Sequence, residues 1–203
     1  MHALPQVQEC KVTGEPNCRC DIRNPAIYVP EPRDTMRKLF TDHAVYMKMF
    51  MNSYLDDIGN AHVLKTRLLQ NQIEIGQYLS NYVGLVEGTS ISVILKDHIE
   101  KAIRVIKDLR DGRDVSADVQ SLFQNSDDVA MDISDLSDTL EYETVREEFY
   151  YHNQYIVDMS TEHFNREYEQ EIKTYDAYYT HMLKFSDLVT EGLIIQNSSA
   201  SYK

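Results

Sequence analysis

The sequence predicts an all-α chain: an antiparallel helical bundle of about six helices, paired as three helical hairpins, behind an extended N-terminal arm. Three observations predict it. All five prolines lie at or before Pro32. A proline inside a helix costs about 3 kcal/mol, so the proline-free remainder is open to helix throughout. In that remainder apolar residues recur every three or four positions, the period of a helix with one buried face. Finally, His43, His98 and His152 recur at intervals of 55 and 54 residues, each with an apolar residue three positions earlier (Phe40, Leu95 and Phe149). A fixed period implies one supersecondary unit used several times.

The arm, residues 1–32, ends in Ala26-Ile27-Tyr28-Val29-Pro30-Glu31-Pro32, a pattern that reads as extended or polyproline-like. The bundle, residues 33–203, follows. Met36, Leu39, Phe40, Met47, Phe50, Met51 and Tyr54 form the stripe of a first helix. Asn60 can cap a second, with Val63, Leu64, Leu68, Ile75 and Leu79, ending near Gly84. Thr89 opens a third, with Ile91, Ile94, Leu95, Ala102, Val105 and Leu109, stopped by Gly112. Asp114 can cap a fourth, with Val115, Val119, Leu122, Val129 and Ile133. A fifth runs from about Thr144 to Asn165, and a sixth carries Ile172, Tyr175, Tyr179, Leu183, Leu188 and Ile194. Short connections make neighbours antiparallel.

Composition narrows function by exclusion. The 203 residues are 42% hydrophobic and 26% charged, enough for a sizeable core, with a formal charge of −13. That sign argues against nucleic acid, which needs clustered Lys and Arg, and against an anionic membrane surface. No run approaches 18 consecutive apolar residues, so no membrane insertion is expected. The opening MHALPQVQEC has neither the basic nor the apolar region of a secretory signal. An intracellular, cytoplasmic protein is the expectation.

Polar residues on the apolar faces carry the candidate chemistry. His43, His98 and His152 each sit between apolar residues one turn away. On the return helices Asn71 and Glu74, then Asn125 and Asp128, and finally Asp176 interrupt the stripes. The segments Leu68-Leu69-Gln70-Asn71 and Leu122-Phe123-Gln124-Asn125 rhyme at an offset of 54. Three histidines and three carboxylates (His43, Glu74, His98, Asp128, His152, Asp176) are therefore expected to meet across the hairpins, because a buried charge needs a partner or a metal. One reading is a polar layer that sets helix register. The other is a divalent metal centre of mixed His and carboxylate ligands. The chain lacks the Glu-x-x-His pairs of ferritin-like di-iron sites, and the one His-x-x-x-Glu, His163 and Glu167, has the spacing of surface neighbours.

Other constellations say less. Cys10, Cys18 and Cys20 have gaps unlike those of structural zinc sites and read as free thiols in a reducing compartment. Between Asp111 and Glu148 twelve acidic residues face two basic ones. That stretch lacks the glycine and closing glutamate of a calcium loop and reads as a solvated face. There is no Gly-rich phosphate loop, no Gly-x-Ser-x-Gly and no nucleophile with a base.

Leu39-x3-His43, Arg67-Leu68-Leu69-Gln70-Asn71-x2-Glu74-x-Gly76, His98, Asn125-Ser126-Asp127, His152, Tyr175-Asp176 and Ser186-Asp187-Leu188-Val189-Thr190-Glu191-Gly192 together span nearly all of residues 36 to 196. In these the body resembles a family of small helical proteins common in bacilli and clostridia, with relatives in large DNA viruses. Its members often carry unsupported labels such as glycosyltransferase or acetylglutamate kinase. The chain departs from that pattern in having no tryptophan, and in Met47 and Met159, where the family tends to place a threonine and a glutamate. The resemblance implies the helical fold and no activity.

Two functions remain. The first is a non-enzymatic structural or interaction protein, a rigid bundle that binds other proteins through residues 1–32 in a homo-oligomer or larger assembly. Its viral form is a virion or minor capsid component within the particle. The second is a metal-binding or metal-dependent bundle using the His/carboxylate layer.

Overall fold

The computed structural model describes residues 31–200, with side chains through Leu193. Residues 1–30 of the expected arm, with its three cysteines, lie outside the described residues, while Pro32, expected to close the arm, is the first residue of α1. Six helices and no strand occur among those described: α1 (Pro32–Leu55), α2 (Ala61–Val83), α3 (Leu85–Arg110), α4 (Ser116–Ser134), α5 (Tyr142–Phe164) and α6 (Tyr168–Ala200). The expected all-α bundle is observed.

Helix starts follow local chemistry, with two departures from expectation. Pro32 occupies the first turn of α1, where its missing N–H has no partner to lose. Asp114 accepts from the Ser116 backbone N–H at 2.9 Å and from its hydroxyl at 2.6 Å, and so closes the start of α4. Asn60 precedes α2 but makes no side-chain cap bond; its backbone is already helical (φ −91°, ψ 0°), so the side chain is not aimed at the free N–H groups. Thr89 does not open α3. Gly84 turns the chain by itself (φ +100°), α3 begins at Leu85, and the Thr89 hydroxyl donates to the Leu85 carbonyl one turn back at 2.7 Å.

The helices close into a ring. Each packs on its neighbours in the chain, and α6 returns to pack on α1. The odd helices α1, α3 and α5 also touch one another, whereas α4 touches only α3 and α5. The odd helices therefore form the inner triangle and the even ones an outer layer. At the α2–α3 crossing the backbones nearly meet. A Cβ on Gly76 would lie 2.4 Å from the Gly88 carbonyl oxygen, and one on Gly88 would lie 2.6 Å from that of Gly76. At the α6–α1 closure Phe40 meets Phe185 edge-on at 5.6 Å, and Arg37 clamps Asp187 through two bonds of 2.7 and 2.6 Å.

The core holds Met36, Met47, Phe50, Leu68, Ile91, Ile103, Ile106, Leu122, Ile156 and Tyr178, all essentially without solvent contact. Helix α6 is rotated from its expected face. Its buried positions include Glu171, Thr174, Tyr178, His181, Met182, Phe185 and Val189, while Ile172 and Tyr179 are exposed. No described helix is long and apolar enough to cross a membrane.

Candidate functional site

Each inner helix contributes one histidine to the centre: His43 from α1, His98 from α3 and His152 from α5, all buried. The His152 ring neighbours both others, 5.3 Å from His43 and 5.8 Å from His98 between centroids, tilted 39° to each. Phe149 and Tyr178 press on the same rings. The expected convergence of three histidines is present, and it follows from the 54-residue repeat placing each on an odd helix.

Their partners are amides and a thioether. Gln72 Nε2 donates to His43 Nδ1 at 2.9 Å. That nitrogen also faces two oxygens, the Leu68 carbonyl at 3.2 Å and Asn71 Oδ1 at 3.0 Å, which identifies it as the donor end of the amide. His98 Nδ1 donates to Asn125 Oδ1 at 2.9 Å, and the Asn125 amide nitrogen reaches Asp97 at 3.4 Å. His152 Nδ1 lies 3.3 Å from Met182 Sδ. Burial drives all three histidines to the neutral form. It lowers His43 to about 3, with the neighbouring His98 adding to the effect. It lowers His98 against the opposing effect of the Asn125 and Asn153 side chains. His152 falls well below the ordinary range through burial and then through His43, His98 and His181.

The three expected carboxylates do not join them. Glu74 is half-buried and bonded to Arg67 at 3.0 Å. Asp128 and Asp176 are exposed. The reason is helical phase. On α2 the buried stripe runs Leu68, Asn71, Gln72, Ile75 and on α4 Leu122, Asn125, Ser126, Val129, so the positions of Glu74 and Asp128 fall just beyond it. On α6 the stripe passes through Tyr178 and leaves Asp176 outside. Among the described residues no group of three or more His, Cys, Asp or Glu is placed to hold a metal ion.

Two buried polar groups escaped the sequence reading. His181 lies against the His152 ring at 6.4 Å and bonds Glu148 at 3.2 Å. At the opposite end, Lys48 of α1 pairs with buried Glu171 of α6, which also takes His163 Nδ1 of α5 at 2.9 Å, while His163 Nε2 lies 3.1 Å from Asp56. The signal for this network was present in His163, but its partner is eight residues on rather than four, across the α5–α6 turn.

No family model, curated protein or solved structure matches the chain.

Proposed function

We propose that the chain is a non-enzymatic interaction protein, a rigid bundle held in a larger assembly. One observation carries this reading. The chemistry-bearing histidines are sealed and neutral, while Leu85, Val86 and Val93 stand 77, 73 and 62% exposed on the first turns of α3. That apolar patch lies at the end of the bundle where α1 begins, since Tyr78 late in α2 reaches the Pro32 carbonyl. Helix α1 therefore begins at Pro32 on the end of the bundle that carries a surface suited to a protein partner. The resemblance to a family with relatives in large DNA viruses extends the reading to a virion or minor capsid component.

Native-mass profiling of the full chain in extracts of its own source tests this. The chain is expected in a complex well above its own mass, and Leu85→Ser/Val86→Ser or removal of residues 1–30 is expected to return it to its own mass with unchanged melting. A wild-type chain found free in the extract overturns the reading.

A metal-binding bundle is the second reading, favoured by the buried Nε2 of His98, a nitrogen with no hydrogen-bond partner. Metal content of the purified, untagged chain decides it. A bound divalent ion whose chelation lowers the melting temperature supports it, and a metal-free chain indifferent to chelator rejects it.

A further inference from the structure

His43 and His98 offer opposite chemistry to one cavity. Because Gln72 donates to His43 Nδ1, the proton of neutral His43 sits on Nε2. Because His98 Nδ1 donates to Asn125, its Nε2 is a bare lone pair. Both Nε2 atoms are buried and neither has a hydrogen-bond partner. Buried polar groups are nearly always paired, so a donor and an acceptor left over together point to a missing third participant.

Both imidazoles line a cavity of about 40 Å³, whose wall also holds Gln72 and His152 and is otherwise hydrocarbon, including Leu95, Ile133, Leu136 and Phe185. A water needs roughly 10–15 Å³ of such space and two to four polar partners. The cavity therefore has room for about three heavy atoms. An oxygen fits at the histidines, and carbon fits the other two positions.

We propose that this cavity is a binding site for a small neutral alcohol of ethanol size, its hydroxyl accepting from His43 Nε2–H and donating to His98 Nε2. Water supplies the same hydroxyl chemistry and is its competitor. The pair discriminates by charge: a metal cation would face the His43 N–H, and a carboxylate would face the His98 lone pair. Leu136 is half-buried and also walls the outer groove between α3 and α4, so it stands between the cavity and solvent.

Long-range proton–nitrogen correlation spectra of the full chain, labelled with ¹⁵N-histidine, test the site. Near neutral pH His43 is expected as the Nε2–H tautomer and His98 as the Nδ1–H tautomer. Added ethanol is expected to shift both ε nitrogens with saturation, and fluoroethane, of similar size but without a donor, to bind about tenfold more weakly. Leu136→Trp, which fills the cavity at its outer end, is expected to abolish the response. Three results overturn the proposal, all readable on the wild-type chain if that variant does not fold. They are a proton on His43 Nδ1, ethanol shifts that grow linearly at every histidine alike, and a His43 Nε2–H contact to water that persists unchanged as ethanol is raised.

Discussion

Asn125 holds His98 by a single bond of 2.9 Å from imidazole Nδ1 to amide oxygen, in the place where Gln72 holds His43 by a bond of the opposite sense. Truncating Asn125 to alanine leaves a buried imidazole N–H without its acceptor. Asn125→Ala is expected to cost about 1–3 kcal/mol. Asp128→Asn, three residues on and exposed, is expected to leave the melting temperature unchanged. Denaturant unfolding of the two variants checks the contrast, and a large loss on Asp128→Asn would restore that carboxylate to the layer.

The histidine layer makes the bundle acid-labile. In the unfolded chain each histidine titrates near 6.5, whereas burial lowers all three in the fold. The folded state thus binds fewer protons than the unfolded state below pH 6.5. Stability is full above that value and declines as pH falls, by up to about 1.4 kcal/mol per pH unit for each histidine. For His43 the decline continues to about pH 3. Urea unfolding across this range is expected to show that slope, and His152→Phe to flatten it by one proton. A wild-type slope that His152→Phe leaves unaltered would count against neutral burial.

The Lys48–Glu171–His163 network is expected to be worth more broken than whole. Glu171→Gln strands the largely buried Lys48 ammonium and is expected to destabilise by about 3–5 kcal/mol. Lys48→Met combined with Glu171→Leu removes both charges and is expected to recover most of that loss. Equal unfolding of single and double variants would refute the point.

Gly76→Ala places a methyl inside the α2–α3 crossing, 2.4 Å from the Gly88 carbonyl and 2.9 Å from the Ser92 backbone nitrogen. Because both are backbone atoms, the helices must separate. A loss of about 1–3 kcal/mol is expected by thermal unfolding. Gly59→Ala, where a Cβ meets nothing within 4 Å, serves as the neutral control.

Helix number, order and pairing were legible in the sequence because the apolar period and the histidine repeat both survive into the fold. The histidines were legible for the same reason: each lies one turn from two large apolar residues on its own helix. The carboxylates were not. Glu74, Asp128 and Asp176 sit at the margin of their stripes, where a shift of one residue, about 100° of helix rotation, moves a side chain from core to solvent. On α6 abundant tyrosines blurred the boundary further, since Tyr178 is buried and Tyr179 exposed although both are equally apolar in a pattern count. Amide partners such as Gln72 escaped notice because a neutral side chain raises no demand for a counter-charge.

The Arg37–Asp187 clamp joins positions 150 residues apart. A ribosome adding about 5–20 residues per second emits α1 on the order of ten seconds before α6. Throughout that interval the nascent chain carries Phe40 and its neighbours without the helix that finally covers them. The ring's seam is thus the last part to close and the stretch at greatest hazard of aggregation during synthesis.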